Sequence, residues 1–268
     1  MLTFDIISDI HLDKWFKTRI THLEDDMKQW VAQLLPSTPS QCLVFVGDFG
    51  EYNAQNIAFL AEIRKHYTHV LFVLGNNDLT LPVEEYNIEG FSDAKERLQS
   101  FLIKIDSFEN VHYLNGTTFT YQGVTFGGSD IFFDFELFNK HYNFTPNQLN
   151  ELWYQKKMDI KHKGLMDDPF AYSKKQKRDL KTLVVSSDVI ITHGPPDYFF
   201  EPTPQNIGFY AYVGDDFKPF IQDKIWCFGH NHKPKDEVKY GCRFINTAVG
   251  KLTKTAKIQQ IKLKTRMK

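Results

Sequence analysis

The most constraining feature of the chain is one event that repeats. An apolar, β-favouring run stops, and a polar residue able to hold a metal follows at once. TFDIIS runs into Asp9 and His11, CLVFVG into Asp48, HVLFVL into Gly75-Asn76-Asn77-Asp78, DVIIT into His193 and KIWCF into Gly229-His230-Asn231-His232. Each run is short and nearly continuous in Val, Ile, Leu and Phe, as expected of strands buried on both faces. In open parallel sheets, sites collect beyond the carboxyl ends of the strands. A fold that gathers these ends would therefore unite residues separated by more than two hundred positions.

The pattern between the runs supports such a fold. Ten strand-like stretches are read, at 3–8, 42–47, 69–74, 111–114, 118–121, 124–127, 188–192, 224–228, 242–247 and 257–263. Helical patterns separate the early ones. Thr21 with Glu24 reads as a capping box before the apolar face Met27, Trp30, Val31, Leu34 and Leu35. Residues 54–66 and 93–107 read as two more helices, and Ser173 with Gln176 as the opening of another. The first third is thus β-α-β-α-β, the signature of parallel strands with helical crossovers. Gln122-Gly123 reads as a hairpin turn. A single domain over 1–268 is expected, with an aromatic-rich helical insertion or cap at about 129–183. Within it, Thr145-Pro146 followed by Gln148 is a strong helix start, and the aromatics read as packing rather than as a base-stacking platform.

Composition bounds the partners. A net charge of −1 gives no global field toward nucleic acid or an anionic membrane. No stretch approaches the ~20 apolar residues that a membrane crossing needs. The N-terminal MLTFDIISD has neither the basic region nor the apolar core of a signal peptide. Cys42, Cys227 and Cys242 have no C-x-x-C spacing and read as free buried thiols. A cytoplasmic location is the expectation. Most of the six histidines outside the strand-end blocks read as surface residues.

Taken singly, each strand-end block has an ordinary explanation. Asp48 alone suits a turn or helix cap, and Asn76-Asn77-Asp78 alone suits a turn. Alternate histidines at 230 and 232 are harder to explain by packing. Together, carboxylate, imidazole and amide donors suit Mn, Fe, Zn, Ni or Co, and a carboxylate such as Asp48 can bridge two ions that flank a phosphoryl group.

In this order the blocks resemble the calcineurin-like metallophosphoesterase superfamily, whose pattern runs D-x-H, G-D, G-N-H-(D/E), H and G-H-x-H. The resemblance implies an α/β fold, a four-layer α/β/β/α sandwich of two mixed β-sheets flanked by helices. It implies a metal-bridging hydroxide that attacks phosphorus. Asp9, His11, Asp48 and His232 would hold one divalent ion, with Mn the first candidate, and Asp48, Asn76, His193 and His230 the other. Two departures bear on the substrate. Asp48 is followed by Phe49-Gly50-Glu51-Tyr52, and Leu74 precedes Gly75, so the arginines of the protein Ser/Thr phosphatases are missing there. Asn77 stands where the family places a His that protonates the leaving oxygen; Asn77 and Asp78 are the catalytic candidates, with the proton expected from Asp78, a cap residue or the substrate itself. A phosphorylated small molecule or nucleotide is the expected substrate. A nuclease and a catalytically weakened metal-binding scaffold are the alternatives.

Overall fold

The computed structural model describes residues 2–16, 22–83, 87–200, 211–250 and 257–263 of the chain. In the first sheet, β1 (Thr3–Ile7), β2 (Cys42–Val46), β3 (His69–Val73) and β4 (Val111–Tyr113) run parallel. Strand β11 (Gln259–Lys262) adds an antiparallel edge beside β1, giving the order β11-β1-β2-β3-β4. The second sheet has the order β5-β6-β7-β8-β10-β9. Its parallel centre is β6 (Val124–Ser129), β7 (Val189–Thr192), β8 (Ile225–Phe228) and β10 (Cys242–Asn246). Its antiparallel edges are β5 (Thr117–Tyr121) and β9 (Lys235–Lys239). Both sheets are mixed, as expected.

Period-two alternation sorts the apolar runs into layers. Phe4, Ile6, Val44, Val46, Leu71 and Val73 face a shared core with Phe126, Ile191, Cys227 and Ile245 of the second sheet. The alternate residues Leu43, Phe45, Val70 and Phe72 face outward. They are covered by α2 (Leu23–Leu34), α3 (Asn53–Ile63) and α4 (Ala94–Asp106), through Val31, Phe59 and Phe101 among others. On the far side, Ile190, Trp226 and Phe244 pack with Leu180 and Val184 of α8 (Pro169–Ser186). Helix, sheet, sheet, helix is the resulting order.

Three expectations change in detail. Helix α8 begins at Pro169, capped by Asp168, whose side chain accepts from Ala171 N; Ser173 and Gln176 are interior positions, and Gln176 accepts a hydrogen bond from Ser129 in β6. An Asp followed by Pro at the first turn is a stronger start than Ser173. Helix α2 begins at Leu23, and Thr21 lies outside the described residues. Strand β9 has no strand signal of its own, since KDEVK carries one apolar residue. Its pairing with β10 is set by a two-residue turn, Tyr240-Gly241, with both φ values positive (52° and 74°). Gln122-Gly123 makes the same kind of turn, with φ of 49° and 78°.

Residues 135–186 hold four helices: α5 (Phe135–Tyr142), α6 (Pro146–Gln155), α7 (Met158–Lys161) and α8. Thr145 and Gln148 form the expected capping box. Phe132, Phe133, Phe135, Phe138 and Trp153 are buried, so these aromatics are packing residues. No helix of the described residues is long and apolar enough to cross a membrane.

The two sheets approach closely at Gly128 in β6. A Cβ placed there would lie 2.4 Å from both Cβ and O of Leu114 and 2.9 Å from a methyl of Val73. We predict that Gly128→Ala lowers the unfolding free energy by about 1–3 kcal/mol, read from the urea midpoint. An unchanged midpoint would mean the sheets have room to spare at that point.

Candidate metal centre

The five strand ends converge at one edge of the sandwich. The loop after β1 is laid on the loop after β2, with Asp9 N donating to Gly47 O (2.9 Å) and His11 N to Asp48 O (3.2 Å). The second sheet joins through Val249 N to Ser8 O (3.0 Å), Gly250 N to Asp9 O (3.2 Å) and His230 N to the Asp9 carboxylate (2.9 Å). Five of the seven candidate ligands have left-handed backbone: Asp9 (φ 54°), His11 (46°), Asp48 (58°), His230 (67°) and His232 (49°). Such conformations cost roughly 1–3 kcal/mol each and persist only where the surroundings hold them. Here they turn side chains on separate loops toward one point. Small residues make the approach possible. A Cβ on Gly75 would lie 2.1 Å from Asp48 Oδ1, and one on Gly229 would lie 2.3 Å from Asp9 Oδ2.

All seven candidates come together, in two groups that share Asp48. Donor atoms of Asp9, His11, Asp48 and His232 lie within 4.8 Å of one another, as do those of Asp48, His193 and His230. In the first group, His232 Nε2 is 3.3 Å from Asp9 Oδ1 and 2.9 Å from His11 Nε2, and His11 Nε2 is 3.8 Å from Asp48 Oδ2. In the second, His193 Nε2 is 3.4 Å from Asp48 Oδ1, 3.1 Å from His230 Nδ1 and 3.2 Å from Asn76 Oδ1. His193 Nδ1 sits 2.9 Å from Val46 O. A proton on Nδ1 satisfies that carbonyl and leaves the Nε2 lone pair facing the group, the tautomer a metal ligand needs.

The charge balance fits cations. Asp9, Asp48 and Asp78 are all buried at the edge of the site. Burial pushes the Asp48 carboxyl up to about 7 against the pull of His11, and the Asp9 charge adds to the rise. Burial also raises Asp9, but the hydrogen bond from His232 and the charges of His193, His232 and His11 hold it below its ordinary value. Two divalent ions would neutralise this concentration of carboxylates. The donor set has oxygen and imidazole nitrogen and no thiolate, which suits transition ions of the Mn to Zn series.

A family model for calcineurin-like phosphoesterase matches residues 2–234. The chain belongs to that family. Among solved structures it is similar to the phosphopantetheinyl hydrolase of Mycobacterium tuberculosis, with TM-score 0.69 and 16% identity over 97% of this chain and 95% of that one. A putative 5'-nucleotidase from Staphylococcus aureus aligns with TM-score 0.41 and 14% identity over 91% of this chain and 48% of its own. No curated protein sequence matches the chain.

In this calcineurin-like chain, Asp78 has a different place from that expected of a proton donor. Its Oδ1 accepts from Phe49 N (2.9 Å) and Gly50 N (3.2 Å), and its Oδ2 from Asp48 N and Gly75 N (both 2.8 Å). Burial and the Asp48 charge push this carboxyl up to about 7, while the backbone donors to it pull the other way. All of its acceptor directions point at backbone, so Asp78 ties the loop after β2 to the loop after β3. Asn77 also supports its neighbours: its Oδ1 accepts from Asn76 Nδ2 (2.9 Å), its Nδ2 lies 3.1 Å from His11 Nδ1, and its backbone N donates to Asp48 Oδ1 (2.9 Å).

Two residues outside the strand-end blocks also support these loops. Arg97 in α4 is almost fully buried, and its guanidinium donates to Asp78 O (2.6 Å), Thr80 O (2.8 Å) and Gly50 O (3.3 Å). The sequence does carry a signal: Arg97 shares the buried stripe of α4 with Ala94, Phe101 and Ile105. His162, expected among surface histidines, is buried with Nδ1 2.9 Å from Leu79 O. Nothing periodic around it marks that role.

Asp78→Asn keeps the shape but replaces one acceptor oxygen by an NH2 group. We predict a loss of about 2–4 kcal/mol in unfolding free energy, from backbone donors left buried without an acceptor. A variant as stable as the parent would show that this carboxylate does not hold the loops.

Proposed function

We propose that the chain is a dinuclear metal-dependent phosphoesterase acting on a phosphorylated small molecule or nucleotide. The observation that carries this reading is the position of Asp48, which belongs to both donor groups at once. Asp9, His11, Asp48 and His232 would hold one ion, and Asp48, Asn76, His193 and His230 the other. Ions held by these residues would supply Lewis acidity that activates water and would counter the negative charge that builds on the phosphoryl oxygens. Mn is the first candidate metal, ahead of Fe, Zn, Ni and Co.

The protein's own contribution is placement. Val46 O fixes the tautomer of His193. Asn77 braces both Asn76 and His11. Asp78 and Arg97 hold the loops that carry Asp48 and Asn76. A net charge of −1 favours a small substrate over a nucleic acid. The free, buried Cys42, Cys227 and Cys242 suit a reducing, cytoplasmic setting. The similarly folded hydrolase places phosphopantetheinyl esters beside nucleotides among the substrates worth testing.

With added Mn²⁺ the full chain should hydrolyse bis-p-nitrophenyl phosphate, and both chelation and Asp48→Asn should return the rate to background. Metal-loaded protein with no turnover across Mn, Fe, Zn, Ni and Co would instead support the scaffold. Asn77→His should weaken Mn²⁺ binding roughly 10–100-fold, because the braces to Asn76 and His11 are lost. A gain in rate on alkyl esters with binding unchanged would contradict that role for Asn77.

A further inference from the structure

A cleft of about 330 Å³ opens beside the centre. The loop after β3 forms one wall with Thr80, Leu81 and Pro82, and α7 and its end form the other with Met158, Lys161 and His162. Asn76, Asn77 and Glu51 complete its lining. The walls are tied together by Leu81 N donating to Lys161 O (2.6 Å) and by His162 against Leu79 O. The volume lies at the small end of ligand pockets, and it adjoins a candidate ligand, Asn76, on the side where Asn77 provides no acid.

The cleft holds three titratable groups. His162 hydrogen-bonds Leu79 O through Nδ1, and burial pushes it down to about 4. It is therefore neutral, with its Nδ1 proton donated to the Leu79 carbonyl. Lys161 contributes positive charge suited to holding an anionic group. Asp78 is turned to backbone. Glu51 remains, a half-buried carboxyl lining the same cleft as Asn76 and Asn77.

We propose that this cleft receives the leaving group of a small phosphoester and that Glu51 protonates the leaving oxygen. The inference rests on the phosphoesterase reading above. As the oxygen of water bonds to phosphorus and gives up one proton to solvent, the bond from phosphorus to the leaving oxygen breaks. The Glu51 carboxyl proton passes to that oxygen, which departs as an alcohol, and the carboxylate regains a proton from solvent. Leu81, Pro82 and Met158 give the alcohol an apolar wall, and Thr80 and Lys161 give it polar partners. The charged groups around Glu51 are Asp13 and Lys14 from α1 (Leu12–Trp15), Arg97 from α4 and Lys161 from α7. Burial raises the Glu51 carboxyl above its ordinary value and Asp13 adds to this, against Lys14, Arg97 and Lys161. That favours the protonated form a proton donor must have at the start of the step.

The test compares the Mn²⁺-loaded full chain with its Glu51→Gln variant on a p-nitrophenyl ester and an alkyl ester of the same phosphate class. A p-nitrophenolate leaves with little help, whereas an alkoxide needs a proton. Glu51→Gln should lower the alkyl-ester rate about 10²–10³-fold, at least tenfold more than the p-nitrophenyl rate, with Mn²⁺ content and melting temperature kept. Glu51→Asp should recover part of the loss. Wild-type turnover of the alkyl ester should fall as pH rises through the Glu51 pKa, because only the protonated acid acts, and that limb should vanish in Glu51→Gln. Equal losses on both esters, no loss on the alkyl ester, or a wild type that cleaves only the aryl ester would overturn the assignment. A wild type inactive on both would overturn the phosphoesterase reading itself.

Discussion

One buried carboxylate holds the centre together. Asp78 accepts four backbone N–H groups, from Asp48, Phe49, Gly50 and Gly75, at 2.8–3.2 Å. These donors belong to loops that follow two different strands. Without a shared acceptor they would be buried and unpaired, at a cost of roughly 1–3 kcal/mol each. With it, Asp48 and Asn76 are carried at fixed separation, and the left-handed backbone at Asp48 is held in place. Arg97 closes the assembly from outside by binding the carbonyls of Asp78, Thr80 and Gly50. An anion on the amide side and a cation on the carbonyl side thus clamp one loop pair.

The arrangement separates two jobs that one motif usually combines. The strand-end carboxylates and imidazoles face the centre, while Asp78 and Asn77 face their own neighbours. The stretch LGNND therefore reads as a brace: Asn76 reaches the second donor group, Asn77 steadies Asn76 and His11, and Asp78 steadies the loops. Proton delivery would fall to the adjoining cleft, where the lining is drawn from three separate segments. A site built this way can keep its metal ligands fixed while the cleft wall, made by the loop after β3 and by α7, sets which alcohol fits.

Much of this was legible in the sequence. The apolar runs at 42–47 and 69–74 and the polar residues closing them point to the residues that the structure gathers at one edge, because parallel strands bury both faces and bring their carboxyl ends together. The Thr145 capping box and the Gln122-Gly123 turn are local signals, and the structure has both. What escaped depended on tertiary placement. Strand β9 exists because Tyr240-Gly241 folds KDEVK back on β10, not because its residues favour a strand. The left-handed backbone at Asp9, His11, Asp48, His230 and His232 is only weakly marked by residue type, through the enrichment of Asp and His at positive φ; it is imposed by loops stacking on one another. His162 lay within an aromatic-rich stretch with no sign of its contact with Leu79. Arg97 was visible in principle, as a charge in the apolar stripe of α4, and shows that a misplaced charge is worth pursuing as a contact.

The central claim is that two metal ions share Asp48. The direct measurement is an anomalous difference map from crystals of the full chain grown with Mn²⁺, recorded at the manganese edge. The account predicts two peaks about 3.5–4 Å apart, one among Asp9, His11 and His232 and the other among Asn76, His193 and His230, with Asp48 between them. A single peak, or none within reach of Asp48, would contradict it.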